Sequence, residues 1–122
     1  MRLIILVAVL LATFSARADD LVILGRLKAI DADVPACGIF FSSAIAEFEV
    51  VKVIAGQYSQ DRIYVVHPCP EMNVKLVVGE IYRFTVGEEN TEHVEMIGGF
   101  HSKVLPKGYR PYFEKNAVTL VK

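Results

Sequence analysis

The sequence predicts an all-β domain, a small five-stranded barrel, on three observations. The stretch Ala44 to Gly56 alternates apolar and charged residues with the two-residue period of a half-buried strand. The alternation slips at Val50-Val51, where Ala46, Phe48 and Val50 hand the apolar side to Val51 and Val53. Such a slip keeps one face on the core only if a β-bulge absorbs the extra residue, and the bulge bends and twists the strand. Further short runs of β-branched and aromatic residues, each bounded by turn residues, supply the partners that a coiled central strand needs to close on itself.

Leu21 to Ile30 is the first strand, with Arg26 and Lys28 on one face and Leu27 and Ala29 on the other. Gly25 lies inside it, as a glycine does at a sharp bend in a barrel corner. Asp31 to Gly38 is a turn-rich connection, and Ile39-Phe40-Phe41 is either an exposed apolar tip or the lead-in to the central strand. After a polar turn at Gln57 to Asp61, Arg62 to His67 forms the third strand. It must leave the sheet at Pro68-Cys69-Pro70, since prolines cannot donate to a ladder. Glu80 to Gly87 is the fourth strand, with Tyr82, Phe84 and Val86 alternating against Ile81, Arg83 and Thr85, and His93 to Ile97 is a short fifth. Phe100 to Asn116 mixes Pro106, Gly108 and Pro111 with Tyr109, Tyr112 and Phe113 and reads as a loop pinned by aromatics. Ala117 to Val121 fits an edge strand by its β-branched content and a short helix by the spacing of Phe113, Ala117, Leu120 and Val121. The whole describes a Greek-key barrel of the OB type.

The first residues carry a different message. Met1-Arg2, an apolar run from Leu3 to Ala12, and Ala16-Arg17-Ala18 before Asp19-Asp20 have the organisation of a secretory signal peptide cleaved after Ala18. The expected domain organisation is therefore a leader, 1–18, and one barrel domain, 19–122, secreted or periplasmic. No later segment approaches the ~20 uninterrupted apolar residues of a membrane span. Removing Arg2 and Arg17 with the leader leaves a net charge near −3, which argues against a nucleic-acid binder. In an oxidising compartment the two cysteines, Cys37 and Cys69, are expected to pair, stabilising the fold by roughly 3–4 kcal/mol in the chain-entropy model.

Gly25-Arg26 in a first strand, Phe48-x-Val50-x-x-Val53-x-x-Gly56 in a second and Leu76-x-x-Gly79-x-x-Tyr82-x-Phe84 in a fourth resemble the netrin-like domain, whose members include tissue inhibitors of metalloproteinases. The resemblance covers Leu21 to Val86 and rests on strand and turn residues, so it implies the barrel fold and an inhibitor-type or other binding role. Those inhibitors begin with a cysteine whose amine and carbonyl chelate the protease zinc. Here the expected first residue is Asp19, so no chelating residue carries over.

Three residue groups carry chemistry. Cys37, His67 and Cys69, with His93 or His101 as a fourth ligand, supply zinc-type donors, but without C-x-x-C or H-x-x-x-H spacing a disulfide beside a strand-end histidine is the simpler reading. Ser42-Ser43 with His67 or His93 and an acid supply the residue types of a hydrolase without a nucleophile-elbow sequence. The segment His101 to Phe113 is the one place where bases and aromatics cluster, which singles out Lys103, Lys107, Tyr109, Arg110 and Tyr112 as a contact surface. The alternative is a solvated loop capping the barrel. The reading is an exported, non-catalytic binding module without a cofactor, partnered by another extracytoplasmic protein or a glycan. Its rivals are a structural envelope component and a small zinc or hydrolytic enzyme using His67 and Cys69.

Overall fold

A computed structural model of the chain describes residues 20–32, 34, 37–38, 42–72, 74–89, 102–116 and 118–122. Six strands are present among them: β1 Leu21–Ile30, β2 Ser43–Ala55, β3 Arg62–Pro68, β4 Ile81–Gly87, β5 Tyr112–Glu114 and β6 Thr119–Leu120, with one 3-10 turn at Pro70–Met72. The order β1-β2-β3-β5-β4 returns to β1 through a β1–β4 pairing, so five strands form a closed barrel. The pairings are antiparallel except β3–β5, where Val65 meets Tyr112 and Val66 meets Phe113 in parallel. This is a mixed barrel of OB-like topology with β6 as an extra strand.

β6 shares an edge of β4 with β5. Ile81, Tyr82 and Arg83 face Arg26, Gly25 and Leu24 of β1 on one side, so Leu120 and Thr119, which pair with Tyr82 and Arg83, lie on the other. β5 occupies that second edge further along, at Val86 and Gly87. Amides of Lys115 and Val121 donate to the carbonyls of Thr85 and Ile81 at 2.9 Å each, extending the ladder on both sides of the break. The C-terminal segment, equally compatible in sequence with helix or strand, is a strand at Thr119–Leu120.

The bulge read at Val50-Val51 is present. Leu24 opposes Lys52 and Gly25 opposes Val50, leaving Val51 without an opposite residue. Two more register shifts leave out Ile54 on β2 and Lys28 on β1. The handover of the apolar side to Val51 does not occur: Val51 is 48% exposed. β2 loses its β3 partner after Glu49–Arg62, with one further bond from Val50 N–H to Asp61 O at 2.9 Å. Beyond Val50, β2 pairs with β1 alone, through Lys52, Val53 and Ala55, and overhangs the core.

Inward residues alternate as the pleat requires. Leu21, Ile23 and Leu27 of β1, Ala46 and Phe48 of β2, Ile63 and Val65 of β3, and Tyr82, Phe84 and Val86 of β4 form the main core, joined by Val118. The Phe48 ring lies 4.5 Å from Phe84 and 6.3 Å, edge on, from Tyr82. Gly25 takes an inward position of β1 because a Cβ there would sit 2.9 Å from Phe48 Cβ and 3.0 Å from the Phe84 ring. Its role is this close approach as much as the bend.

Among the described residues the strand that closes the barrel lies later in the chain than His93 to Ile97. His93 to Ile97 lies outside the described residues, and the stretch read as a loop contains β5, whose three residues complete the barrel. Phe113 of β5 faces outward into a second cluster with Ile45, Tyr64 and Val66, together with Val104 and Leu105.

Candidate functional site

Residues 102–111 form an arm leading into β5, tied down at named points. Ser102 Oγ accepts the amides of Val104 and Leu105 at 3.1 and 3.0 Å, and the Lys103 amide donates to Asp31 Oδ1 at 3.0 Å. Asp31 Oδ2 accepts the Ile45 amide at 3.1 Å, so one carboxylate joins the end of β1, the start of β2 and the arm. Val104 and Leu105 pack on the second cluster. The chain then turns through Pro106 to Tyr109, closed by Tyr109 N–H to Pro106 O at 3.1 Å. Gly108 adopts φ +89° in the third position, the conformation that a type II turn reserves for glycine.

The turn lays the Tyr109 ring edge-on against Tyr64 at 5.3 Å while leaving Tyr109 52% exposed. Lys103, Lys107 and Arg110 are exposed and form no ion pair among the described residues. On β2, Glu47 meets Arg62 at 3.4 Å and Glu49 meets Arg26 at 3.8 Å. Lys103, Lys107, Tyr109 and Arg110, singled out in the sequence, are thus all exposed on this arm. Tyr112 is half-buried against the main core, its ring 5.7 Å from Tyr58, on the opposite side of β5 from Phe113. Tyr58 also donates its hydroxyl to the Arg62 carbonyl. Burial, then the neighbouring Tyr112, Tyr64, Tyr109 and Asp61, push the Tyr58 phenol up to about 12. Tyr64 is raised by burial and then by Glu47, and Tyr112 by burial and then by Glu88.

The other concentration of polar chemistry lies where β2 begins and β3 ends. Cys37 and Cys69 are joined, with Cα atoms 5.4 Å apart. Ser42 holds the bridge in place: its carbonyl accepts Cys69 N–H at 2.8 Å and its amide donates to Cys37 Sγ at 3.1 Å. Cys37 N–H donates to Glu71 Oε2 at 2.7 Å. Cys69, between two prolines, has φ +44°, the one left-handed non-glycine backbone among the described residues; such a conformation costs about 1–3 kcal/mol.

His67 is 1% exposed and pairs through Nδ1 with Glu114 Oε2 at 2.5 Å. Nε2 finds no partner, nor do the hydroxyls of Ser42 and Ser43. The register puts His67 opposite Ala44 on the inward face, and Ser43, opposite Pro68, on the outward one. Ser42, an inward position two residues before Ala44, is the serine that shares the histidine's face. Glu114 was not singled out by the sequence reading. Its one signal is the Tyr112-Phe113-Glu114 alternation, in which the outer residues point inward.

The two sulfurs are bonded to each other, so neither is a thiolate ligand, and His93 and His101 lie outside the described residues. Among the described residues no group of three or more His, Cys, Asp or Glu side chains gathers at one point. No helix among them is long and apolar enough to cross a membrane. No protein-family model, curated protein or solved structure matches the chain.

Proposed function

We propose that this barrel is an exported, non-catalytic binding module that engages the acidic face of another extracytoplasmic protein through the arm at 102–111. One observation carries the reading: the arm is fastened by Asp31 and the second cluster, yet presents Tyr109 half exposed, with Lys103, Lys107 and Arg110 exposed on the same segment. Tyrosine and arginine dominate contact energetics because they combine large area with polar tips, and unmatched cations select an acidic partner. The inhibitor-type role implied by the netrin-like resemblance fits this surface better than an N-terminal chelate, since both cysteines are occupied.

The test is capture from the extracytoplasmic fraction of the source cells, comparing the wild-type protein with Tyr109→Ala/Arg110→Ala. The expected result is a discrete protein retained by the wild type at low salt, lost at high salt, and lost by the variant at unchanged Tm. Equal retention by both proteins overturns the reading, and retention abolished by glycosidase treatment replaces the protein partner with a glycan.

A further inference from the structure

We propose that the Cys37–Cys69 bond is a thiol-exchange site that opens in the folded protein, with Cys69 as the sulfur attacked and Cys37 as the leaving thiolate. Three observations converge on it. Both cysteines are half-buried and have exposed Gly38 and Glu71 for close neighbours in the chain, so the bridge lies at the surface of the barrel and not in its core. The Ser42 amide, 3.1 Å from Cys37 Sγ, is a fixed donor waiting for negative charge on that sulfur. A thiolate that accepts a backbone N–H is a better leaving group than one facing solvent alone. The third is the backbone of Cys69, held at φ +44° immediately before Pro70, where a non-glycine residue prefers extended conformations.

These features act on different sulfurs, and so assign the direction of attack. A thiolate R–S⁻ of a small dithiol attacks Cys69 Sγ; an R–S–Sγ bond forms, the Cys37–Cys69 bond breaks, and its electron pair leaves on Cys37 Sγ beneath the Ser42 amide. The second thiol of the reagent then displaces Cys69, so that the dithiol is oxidised by two electrons and the protein bridge is reduced by two. With the bond cut, Cys69 is free to relax toward the extended backbone that a residue before proline favours. Cys69 N–H to Ser42 O, at 2.8 Å, stays in place next to the Ser43–Pro68 and Ala44–His67 pairs, so opening frees the Cys37 side of the bridge and leaves the β2–β3 ladder intact. The bridge behaves as a releasable fastening, independent of whether the arm binds a partner.

The experiment is reduction of the native wild-type protein by dithiothreitol at neutral pH, quenched by alkylation and mapped by mass spectrometry. The expected rate of opening exceeds the global unfolding rate, measured under the same conditions, at least tenfold. Opening no faster than unfolding overturns the proposal. A brief exposure to reduced glutathione is expected to leave glutathione on Cys69, and its capture on Cys37 instead overturns the assignment. In Cys69→Ser, the pH midpoint for alkylation of Cys37 is expected about one unit lower in the folded than in the urea-unfolded protein. Equal midpoints overturn the role given to the Ser42 amide. Should that variant fail to fold, the wild-type rate and trapping position still decide the matter.

Discussion

An alanine at position 25 would place its Cβ 2.9 Å from Phe48 Cβ and 3.0 Å from the ring of Phe84, two residues whose ring centroids already lie 4.5 Å apart. Phe48 Cβ is anchored to its own strand and cannot swing aside, so Gly25→Ala should destabilise the barrel by about 1–3 kcal/mol. Gly38, whose added Cβ would meet nothing within 4 Å, is the control: Gly38→Ala should stay within about half a kcal/mol. Urea midpoints for the two variants check the contrast. Tyr58 gives a second residue-scale expectation. Its phenol is pushed up to about 12 in the folded chain, chiefly by burial, whereas an unfolded tyrosine loses its proton near ~10. Between those values the unfolded state binds fewer protons than the folded one, so stability falls as pH rises through the window. Tyr58→Phe should flatten that alkaline decline in denaturant midpoints measured from pH 9 to 11.5; an unchanged slope would refute it.

β2 shows how much of an element its sequence encodes. Phe48 is fully buried and Glu47 half-buried, as alternation along a pleat demands. Phe48→Ala should therefore cost about 3–5 kcal/mol, because the two-ring contact is replaced by a cavity. Glu47→Ala, which loses only a part-exposed ion pair with Arg62 at 3.4 Å, should cost under about 1 kcal/mol. Similar midpoint shifts would mean the register is wrong. The bulge at Val51 was legible because a break in a two-residue period is a local signal. The exposure of Val51 was not, since it depends on β3 ending its pairing at Glu49. β5 was unreadable for a related reason: it is three residues long, lies among prolines and a glycine, and pairs in parallel with residues nearly fifty positions away. Nothing in its own composition distinguishes it from the loop around it.

At the scale of the whole molecule, the candidate surface divides in the same way. Its exposed members stood out as the one cluster of bases and aromatics, a property of composition. What makes them a surface did not: Tyr64 beneath Tyr109, and Asp31 fastening the arm across seventy-two positions, are products of closure. The His67–Glu114 pair is another such product, joining the end of β3 to the strand that seals the barrel. That seal is short, and the arm feeds into it without interruption, with Arg110 two residues before Tyr112. The surface and the seam are thus mechanically in series. A partner that grips Tyr109 and Arg110 would stiffen the weakest seam of the barrel, and anything that loosens the seam would slacken the grip. Affinity for such a partner and resistance to local opening would then be two readings of one tension.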